Sequence, residues 1–292
     1  MRQYYFSLIL ATVGRTSELE RLFYSLAAQS LLDFEVIVVD QNPDERLRPV
    51  LARASNLGLA IRHHRHTPAN LAAARNAGIA QAQGEWLGFP DDDCWYDSRL
   101  LERVYAASQG ISQCAGQVDG VIARWEEQGP TSDYPVWLDW HRSRRFRDIP
   151  VSSISLFLQR DLLQKIGGFD PRLGVGQWFS AAEETDLVLR ALHSGAAFLH
   201  QPDARVHHAL APVAVREDAA TRMAVRHRAR GTGALYAKHD IPFWIIVRGL
   251  LAPLCNPLID SPLKGNLAAA LKHGYAEAAG RLDGLRAWRQ IS

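Results

Sequence analysis

This sequence predicts an α/β fold built on a largely parallel sheet, and three observations predict it. Apolar runs of strand length alternate with helical patterns through the first two-thirds of the chain. One such run ends in Asp91-Asp92-Asp93, at the kind of strand terminus where open α/β sheets bind their ligands. With 292 residues, 47% of them apolar and 22% charged, the chain can bury a large core without disulfide or metal staples.

The elements follow in order. Phe6 to Ala11 reads as the first strand. Ser17 is the expected N-cap of a helix reaching about Gln29, with Glu18 and Glu20 in its first turn. Phe34 to Val39 is a buried strand that ends in Asp40. A charged helix from about Asp44, a short strand near Leu59 to His63 and an Ala-rich helix from Pro68 to Gln83 come next, with Gly84 as its stop. Glu85 to Phe89 is a fourth strand, and it runs into Pro90 and the three aspartates. A helix from about Ser98 to Ser108 and a strand near Val118 to Ala123 lead into a polar stretch, Glu126 to Pro150, read as a long functional loop. Val151 to Leu158 returns as a strand, and a short helix ends at Gly167-Gly168. An irregular loop, a helix from about Ala181 to Gly195 and an extended segment, Phe198 to His208, complete this part.

Charge divides the chain in two. The whole carries 33 Lys/Arg against 31 Asp/Glu, too even to imply a nucleic-acid partner by itself. Pro212 to Ser292 holds 12 Lys/Arg against 6 Asp/Glu, a local +6, which leaves the first 211 residues at −4. The expected organisation is therefore residues 1–211 as a catalytic domain and 212–292 as a basic, amphipathic helical extension. Such helices commonly meet membrane surfaces or partners. Three widely spaced cysteines, Cys94, Cys114 and Cys255, suit a reducing compartment and not a disulfide framework. The first eleven residues are too polar for a signal peptide, so a cytoplasmic start is expected. The nearest approach to a membrane span, Ile241 to Ile259, is interrupted by Pro242, Arg248, Pro253 and Pro257.

Three acidic or basic groups carry the chemistry. Adjacent carboxylates repel, so Asp91, Asp92 and Asp93 need a cation or hydrogen-bond donors to absorb their charge. Residues i and i+2 of an extended chain share a side, which lets Asp91 and Asp93 converge on one centre. Oxygen ligands of that kind select Mg²⁺ or Mn²⁺; a solvated acidic turn is the plain alternative. Glu183-Glu184-Thr185-Asp186 opens a helix, where the macrodipole alone would favour acids. The irregular loop with Gly174, Gly176 and Trp178 before it suits a pocket wall better, and a glutamate there can serve as general base. Val206-His207-His208 ends the last extended segment and offers an imidazole ligand. The cluster His63, His64 and His66 is given less weight, having no carboxylate motif beside it in sequence.

Seven ordered motifs then point to one family. They are S-L-I-L-A-T-V-G-R, V-I-V-V-D-Q-N, A-A-A-R-N-A-G-I, G-F-P-D-D-D-C-W-Y, I-G-G-F-D-P-R-L-G-V-G, A-E-E-T-D-L-V-L-R and P-D-A-R-V-H-H. From Ser7 to about His208 the chain resembles the family 2 glycosyltransferases, inverting enzymes that use nucleotide sugars. The resemblance implies the GT-A fold, a Rossmann-like nucleotide-binding half plus an acceptor-binding half, here followed by a C-terminal helical extension. By position it implies nucleotide binding at Thr12, Arg15, Asp40, Arg75, Asp91 and Asp92, with Asp40 at the base. It implies Mn²⁺ or Mg²⁺ held by Asp93 and Asp91 with His208, or with His207 one position off. Many relatives have a further acid where this chain has Cys94. The catalytic base falls on Glu184, a Glu in place of the family's Asp, with Glu183 and Asp186 as competitors.

The implied reaction is a single displacement at the anomeric carbon, with the metal neutralising the departing nucleoside diphosphate. Trp137, Trp140, Trp178, Arg144 and Arg145 are acceptor-binding candidates, because aromatic faces and guanidinium groups suit sugars and phosphates. They serve equally well as packing tryptophans on a solvated basic loop. Expected partners are a nucleotide-sugar donor, with UDP favoured, a saccharide or polyprenyl-diphosphate-linked saccharide acceptor in surface polysaccharide assembly, and an anionic membrane surface. No nucleic acid is expected. The corresponding location is the inner face of the cytoplasmic membrane. A sugar nucleotidyltransferase is the alternative enzyme, although Thr12-Val13-Gly14-Arg15-Thr16 is sparse in glycine for its phosphate loop. A non-catalytic sugar- or partner-binding protein with this fold is the other alternative, and it would be expected to have lost acidic motifs.

Overall fold

Strands β1 (Phe6–Thr12) and β2 (Phe34–Asp40) are buried along their whole length, and alternation sends their side chains to two separate cores. Leu8, Leu10, Val36 and Val38 point into one, Ile9, Ala11, Ile37 and Val39 into the other. The computed structural model describes residues 4–112, 116–128, 137–138, 151–208, 218–260 and 267–291. Its other strands are β3 (Ile61–Arg65), β4 (Trp86–Gly88), β5 (Cys94–Tyr96), β6 (Ile111–Ser112), β7 (Gly116–Gln117), β8 (Gly120–Trp125), β9 (Trp137–Leu138), β10 (Leu156–Gln159) and β11 (Phe198–His208). Nine of the described strands form one sheet in the order β3-β2-β1-β4-β10-β8-β11-β5, with β9 added on β11. The run from β3 to β4 is parallel, and β10 introduces antiparallel pairing.

Two compact units divide the chain, Met1–Phe169 with Leu187–Ala211, and Asp170–Asp186 with Pro212–Ser292. The second unit thus takes in residues 170–186 as well as the C-terminal region. That membership is set by non-local contacts, which a one-dimensional pattern does not display.

In the first unit, α1 (Ser17–Ala27), α2 (Arg48–Asn56) and α4 (Leu100–Ser108) supply Phe23, Leu51 and Leu101 to one core. The other core receives Ala72 and Ala74 from α3 (Leu71–Gln81) and Leu162 from α5 (Arg160–Ile166). Leu187, Val188 and Leu192 of α6 (Glu183–His193) join that same core. Several ends differ from expectation. Thr16, not Ser17, precedes α1 as its cap residue, and no side chain caps it. Helix α3 starts at Leu71 because Asn70, whose side chain accepts from Ala73 N, caps it; Pro68 lies outside. Gly84 is needed for close approach and not as a helix stop. A Cβ there would stand 2.5 Å from backbone atoms of Phe6 and Ser7. The expected strand from Val151 begins only at Leu156, after a 3₁₀ turn at Ser153–Ser155.

The second unit holds α7 (Ala219–Lys238), α8 (Phe243–Asp260) and α9 (Leu267–Ile291). Helices α7 and α9 approach at backbone contact: a Cβ on Gly280 would meet Arg226 O at 2.1 Å, and one on Gly284 would meet Arg230 O at 2.0 Å. The contacts advance together along both chains, so the two helices run parallel. Beside them Lys238 bridges Asp170 and Asp186, at 2.7 Å from each.

Glu35 is the one charged residue inside β1 or β2 short of their final position, and it is completely buried. Its Oε1 accepts from Ser7 Oγ (2.6 Å) and Gln83 N (2.8 Å), and its Oε2 from Arg62 Nη1 (3.2 Å). Removing the carboxylate strands these donors, each at about 1–3 kcal/mol. Glu35→Ala is expected to lower the melting temperature by about 5–15 °C, on a scale of roughly 2–4 °C per kcal/mol for a unit of this size. An unchanged thermal transition contradicts this assignment.

Candidate active site

The parallel strands deliver polar residues to one edge of the sheet. Thr12 and Asp40 end β1 and β2 and are register partners. Asp91, Asp92 and Asp93 follow β4, and His208 ends β11 directly opposite Cys94 of β5. The antiparallel pairing of β5 with β11 therefore sets His208 next to Asp93.

Each of the three carboxylates has its own partners. Asp91 Oδ1 accepts from Arg75 Nη2 at 2.8 Å. Burial pushes the Asp91 carboxyl up from its usual value; Arg75 opposes this, and the neighbouring charges of Asp92 and Asp93 add to it. Arg75 itself is fully buried and also donates to Ser153 Oγ at 2.9 Å. Asp92 accepts from Thr12 Oγ1 at 2.7 Å and from Arg15 Nη1. Asp93 meets Arg15 Nη1 through Oδ2 at 2.7 Å and His208 Nε2 through Oδ1 at 2.9 Å. Arg21 donates to the Asp93 carbonyl at 2.8 Å and lies over the Trp95 ring. Thus Thr12, Arg15, Arg75, Asp91, Asp92, Asp93 and His208 form one connected group.

Asp40 stands at the end of the neighbouring strand with a different set. Its Oδ1 accepts from Asn42 N and Nδ2, both at 2.8 Å, and its Oδ2 lies 2.9 Å from His63 Nε2. The histidine cluster given little weight in the sequence thus does have a carboxylate beside it. The parallel pairing of β2 with β3 supplies it. His207 and His208 point to opposite sides of β11, as strand alternation requires. His207 sits between Asp97 (3.0 Å) and Glu127 (3.1 Å) and stacks on Trp95, while Glu127 also accepts the backbone N–H of His208. Glu127, Asp97 and Ser153 carry no motif signal of their own, and Asn42 and Trp95 sit inside quoted motifs that assign them no role. Only strand pairing and the Asp40-Gln41-Asn42 turn reveal them.

The acidic group at the start of α6 belongs to the second unit. Asp186 is fully buried, held by Lys238 at 2.7 Å and His239 at 2.9 Å. Glu183 is also buried, packed under Gly174, where a Cβ would meet its carboxylate carbon at 3.0 Å. Glu184 is only partly buried. Of the three, Asp186 is built into an ion-pair network and Glu184 keeps the most access to solvent. Trp178 is half exposed with Arg230 stacked 4.3 Å from its ring centre. Trp137 lies on β9, paired with Leu199; Trp140, Arg144 and Arg145 lie outside the described residues.

Among the described residues no cluster of three or more His, Cys, Asp or Glu side chains is gathered around one point. The fit to a divalent cation rests on a pair. Oδ1 of Asp93 is shielded from solvent and takes no hydrogen bond, although His208 Nε2 faces it. A carboxylate oxygen and an imidazole nitrogen 2.9 Å apart, paired by charge without hydrogen-bond geometry, are donor types suited to Mn²⁺ or Mg²⁺.

Residues 7–165 match the model of the glycosyl transferase family 2. The chain belongs to this family. A PGL/p-HBAD biosynthesis glycosyltransferase of Mycobacterium bovis is 37% identical over 103 residues, 35% of this chain and 40% of that protein. The chain therefore spans less than half the length of those mycobacterial relatives. The glycosyltransferase YwdF of Bacillus subtilis, itself uncharacterized, is 29% identical over 171 residues, 56% of this chain and 61% of that protein. Among solved structures, Staphylococcus aureus TarS 1–349 in complex with UDP-GlcNAc superposes with a TM-score of 0.59 at 16% identity, covering 98% of this chain and 92% of that one. Mannosyltransferase PcManGT from Pyrobaculum calidifontis, in complex with GDP-Man and Mn²⁺, gives 0.62 at 19% identity, covering 98% and 83%. The fold of this family 2 chain is accordingly GT-A, with helices at its C-terminus.

Burial alone would lower the imidazole pKa of His207, but the hydrogen bonds and charges of Asp97 and Glu127 outweigh it and the net shift is upward. A raised folded value means that protonated His207 stabilises the fold. That contribution is complete below the unfolded value of about 6.5 and is lost as pH rises through the folded one. In metal-free protein the melting-temperature advantage of wild type over His207→Gln is expected to be larger at pH 6 than at pH 9. A difference independent of pH contradicts the charge assignment.

Proposed function

We propose that the chain is an inverting glycosyltransferase that moves a sugar from a nucleoside-diphosphate sugar, UDP-sugar favoured, to a hydroxyl of a saccharide acceptor. The observation that carries this reading is the division of Asp91, Asp92 and Asp93 among Arg75, the Thr12–Arg15 pair and His208 at the strand edge. Family membership supports it, as do fold neighbours whose donors are UDP-GlcNAc and GDP-Man.

In this reading Asp40, oriented by Asn42 and His63, is the acceptor for the nucleobase. Arg15, partly exposed beside Asp92 and Asp93, is the cation nearest the donor phosphates. Arg75 keeps Asp91 aligned. Asp93 and His208 would hold Mn²⁺ or Mg²⁺. When bound, the ion supplies Lewis-acid stabilisation of the leaving diphosphate. Glu184 takes the proton of the acceptor hydroxyl as the new glycosidic bond forms and the bond to the diphosphate breaks. Asp186 is a poor competitor, since Lys238 and His239 already occupy it. The acceptor is read as polyprenyl-diphosphate-linked, in surface polysaccharide assembly at the inner face of the cytoplasmic membrane. The basic C-terminal region, with 12 Lys/Arg against 6 Asp/Glu, supports that part.

The test is release of nucleoside diphosphate from a panel of nucleotide sugars. Pyrophosphate release would indicate a nucleotidyltransferase, and no release with any donor a binding protein. Glu184→Gln is expected to keep donor affinity within a few fold and lower turnover by about 10² or more, the range for losing a general base. If Glu183→Gln or Asp186→Asn has this effect while Glu184→Gln stays active, the base is misassigned.

A further inference from the structure

Helix α8 is predominantly apolar, with Arg248, Asn256 and Asp260 as its charged or amide residues, yet packing uses only part of it. Ile245, Ile246 and Pro253 are buried, and a Cβ on Gly249 would meet the Tyr236 hydroxyl at 2.1 Å. The opposite face stays exposed. Trp244, Leu251 and Leu258 recur every seven residues, about two helical turns, and each has more than half of its surface in solvent. Phe243 (79% exposed) and Ile259 (74%) flank the stripe at its two ends, one on either side. At about 1.5 Å per residue the exposed apolar residues from Phe243 to Ile259 span roughly 24 Å, with exposed Arg248, Cys255 and Asn256 among them, a predominantly apolar face of a kind that marks an interaction site. Arg248 is the charged residue within it, and its guanidinium lies 5.8 Å from the centre of the Trp244 ring.

What covers this face is decided by charge. The surrounding helices carry exposed or half-exposed Arg222, Arg228, Lys272, Arg286 and Arg289, and residues 212–292 have a net excess of six positive charges. A second copy would bring the same excess and repel. Anionic lipid headgroups complement it, each nearby Lys or Arg being worth about 1 kcal/mol. No helix among the described residues is long and apolar enough to cross a membrane, so a helix of this composition would lie in the plane of the interface.

We propose that α8 is an interfacial helix that lays Phe243, Trp244, Leu251, Leu258 and Ile259 into the headgroup boundary of a membrane rich in anionic lipid. This extends the lipid-linked acceptor reading but stands on the helix alone. The full chain is sedimented with vesicles of phosphatidylcholine containing phosphatidylglycerol, and with phosphatidylcholine alone, at low and high salt. Strong binding to the anionic vesicles at low salt, weakened by salt, is the expected result. Trp244→Ser with Leu251→Ser should weaken it by about tenfold or more. Arg222→Gln with Arg248→Gln and Lys272→Gln should abolish the preference for anionic lipid. The stripe residues are exposed, so the melting temperature and the thermal shift given by UDP should be unchanged in the Trp244 and Leu251 variant. An unchanged UDP shift separates failure of this proposal from failure of the glycosyltransferase reading. Absence of vesicle binding at low salt overturns the proposal, and so does binding that the Ser substitutions leave intact. Light scattering that shows a dimer dissolved by those substitutions also overturns it, assigning the stripe to a second copy.

Discussion

Three carboxylates in a row at the end of a buried strand cannot stay together without compensation, and this constraint shapes the sheet edge. In water their repulsion would be modest, but partial burial strengthens it. The fold answers by giving each a different counterpart. Asp91 receives Arg75 from α3, Asp92 receives Thr12 and Arg15 from the end of β1, and Asp93 receives Arg15 and His208. The upward shift at Asp91 shows the balance: burial and its two acidic neighbours outweigh even a direct guanidinium contact.

The counterparts arrive there for ordinary structural reasons. Parallel pairing of β1 with β4 and β2 brings Thr12 and Asp40 to the same edge. Antiparallel pairing of β11 with β5 brings the final histidine of one strand against the turn that leads into the other. Arg75, fully buried, is tied to Asp91, to Ser153 and, 5.2 Å from the ring centre, to Phe169, so its orientation is fixed by packing. Support behind His208 comes from Glu127, which holds the backbone N–H of His208 and the side chain of His207.

Strands buried on both faces are legible because the whole run is apolar, and β1 and β2 stand close to where the sequence predicts them; β11 does so too, although its run mixes apolar and polar residues. Short strands are not. β5 and β9, three and two residues long, offer no period to read. Helix starts go astray where a strong local signal competes with a quieter one, as Pro68 does with the Asn70 cap. Within the site, Asp91 to Asp93 and the histidine pair announce themselves as motifs, and strand alternation explains why His208 and not His207 faces Asp93. The partners that define Asp40, Asp92 and Asp186 lie on elements far away in sequence, at His63, Arg15 and Lys238, so pairing and packing have to be known before they can be named.

The central claim is that the three aspartates have separate tasks, with Asp93 the one left for a cation. The most direct measurement is the Mn²⁺ affinity of the UDP-bound protein, followed by the magnetic resonance signal of free Mn²⁺, for wild type, Asp92→Asn and Asp93→Asn. The account predicts that Asp93→Asn weakens Mn²⁺ binding by about tenfold or more, as removal of a hard oxygen ligand should, while Asp92→Asn changes it by only a few fold. Equal losses in the two variants, or wild-type affinity in Asp93→Asn, would contradict it.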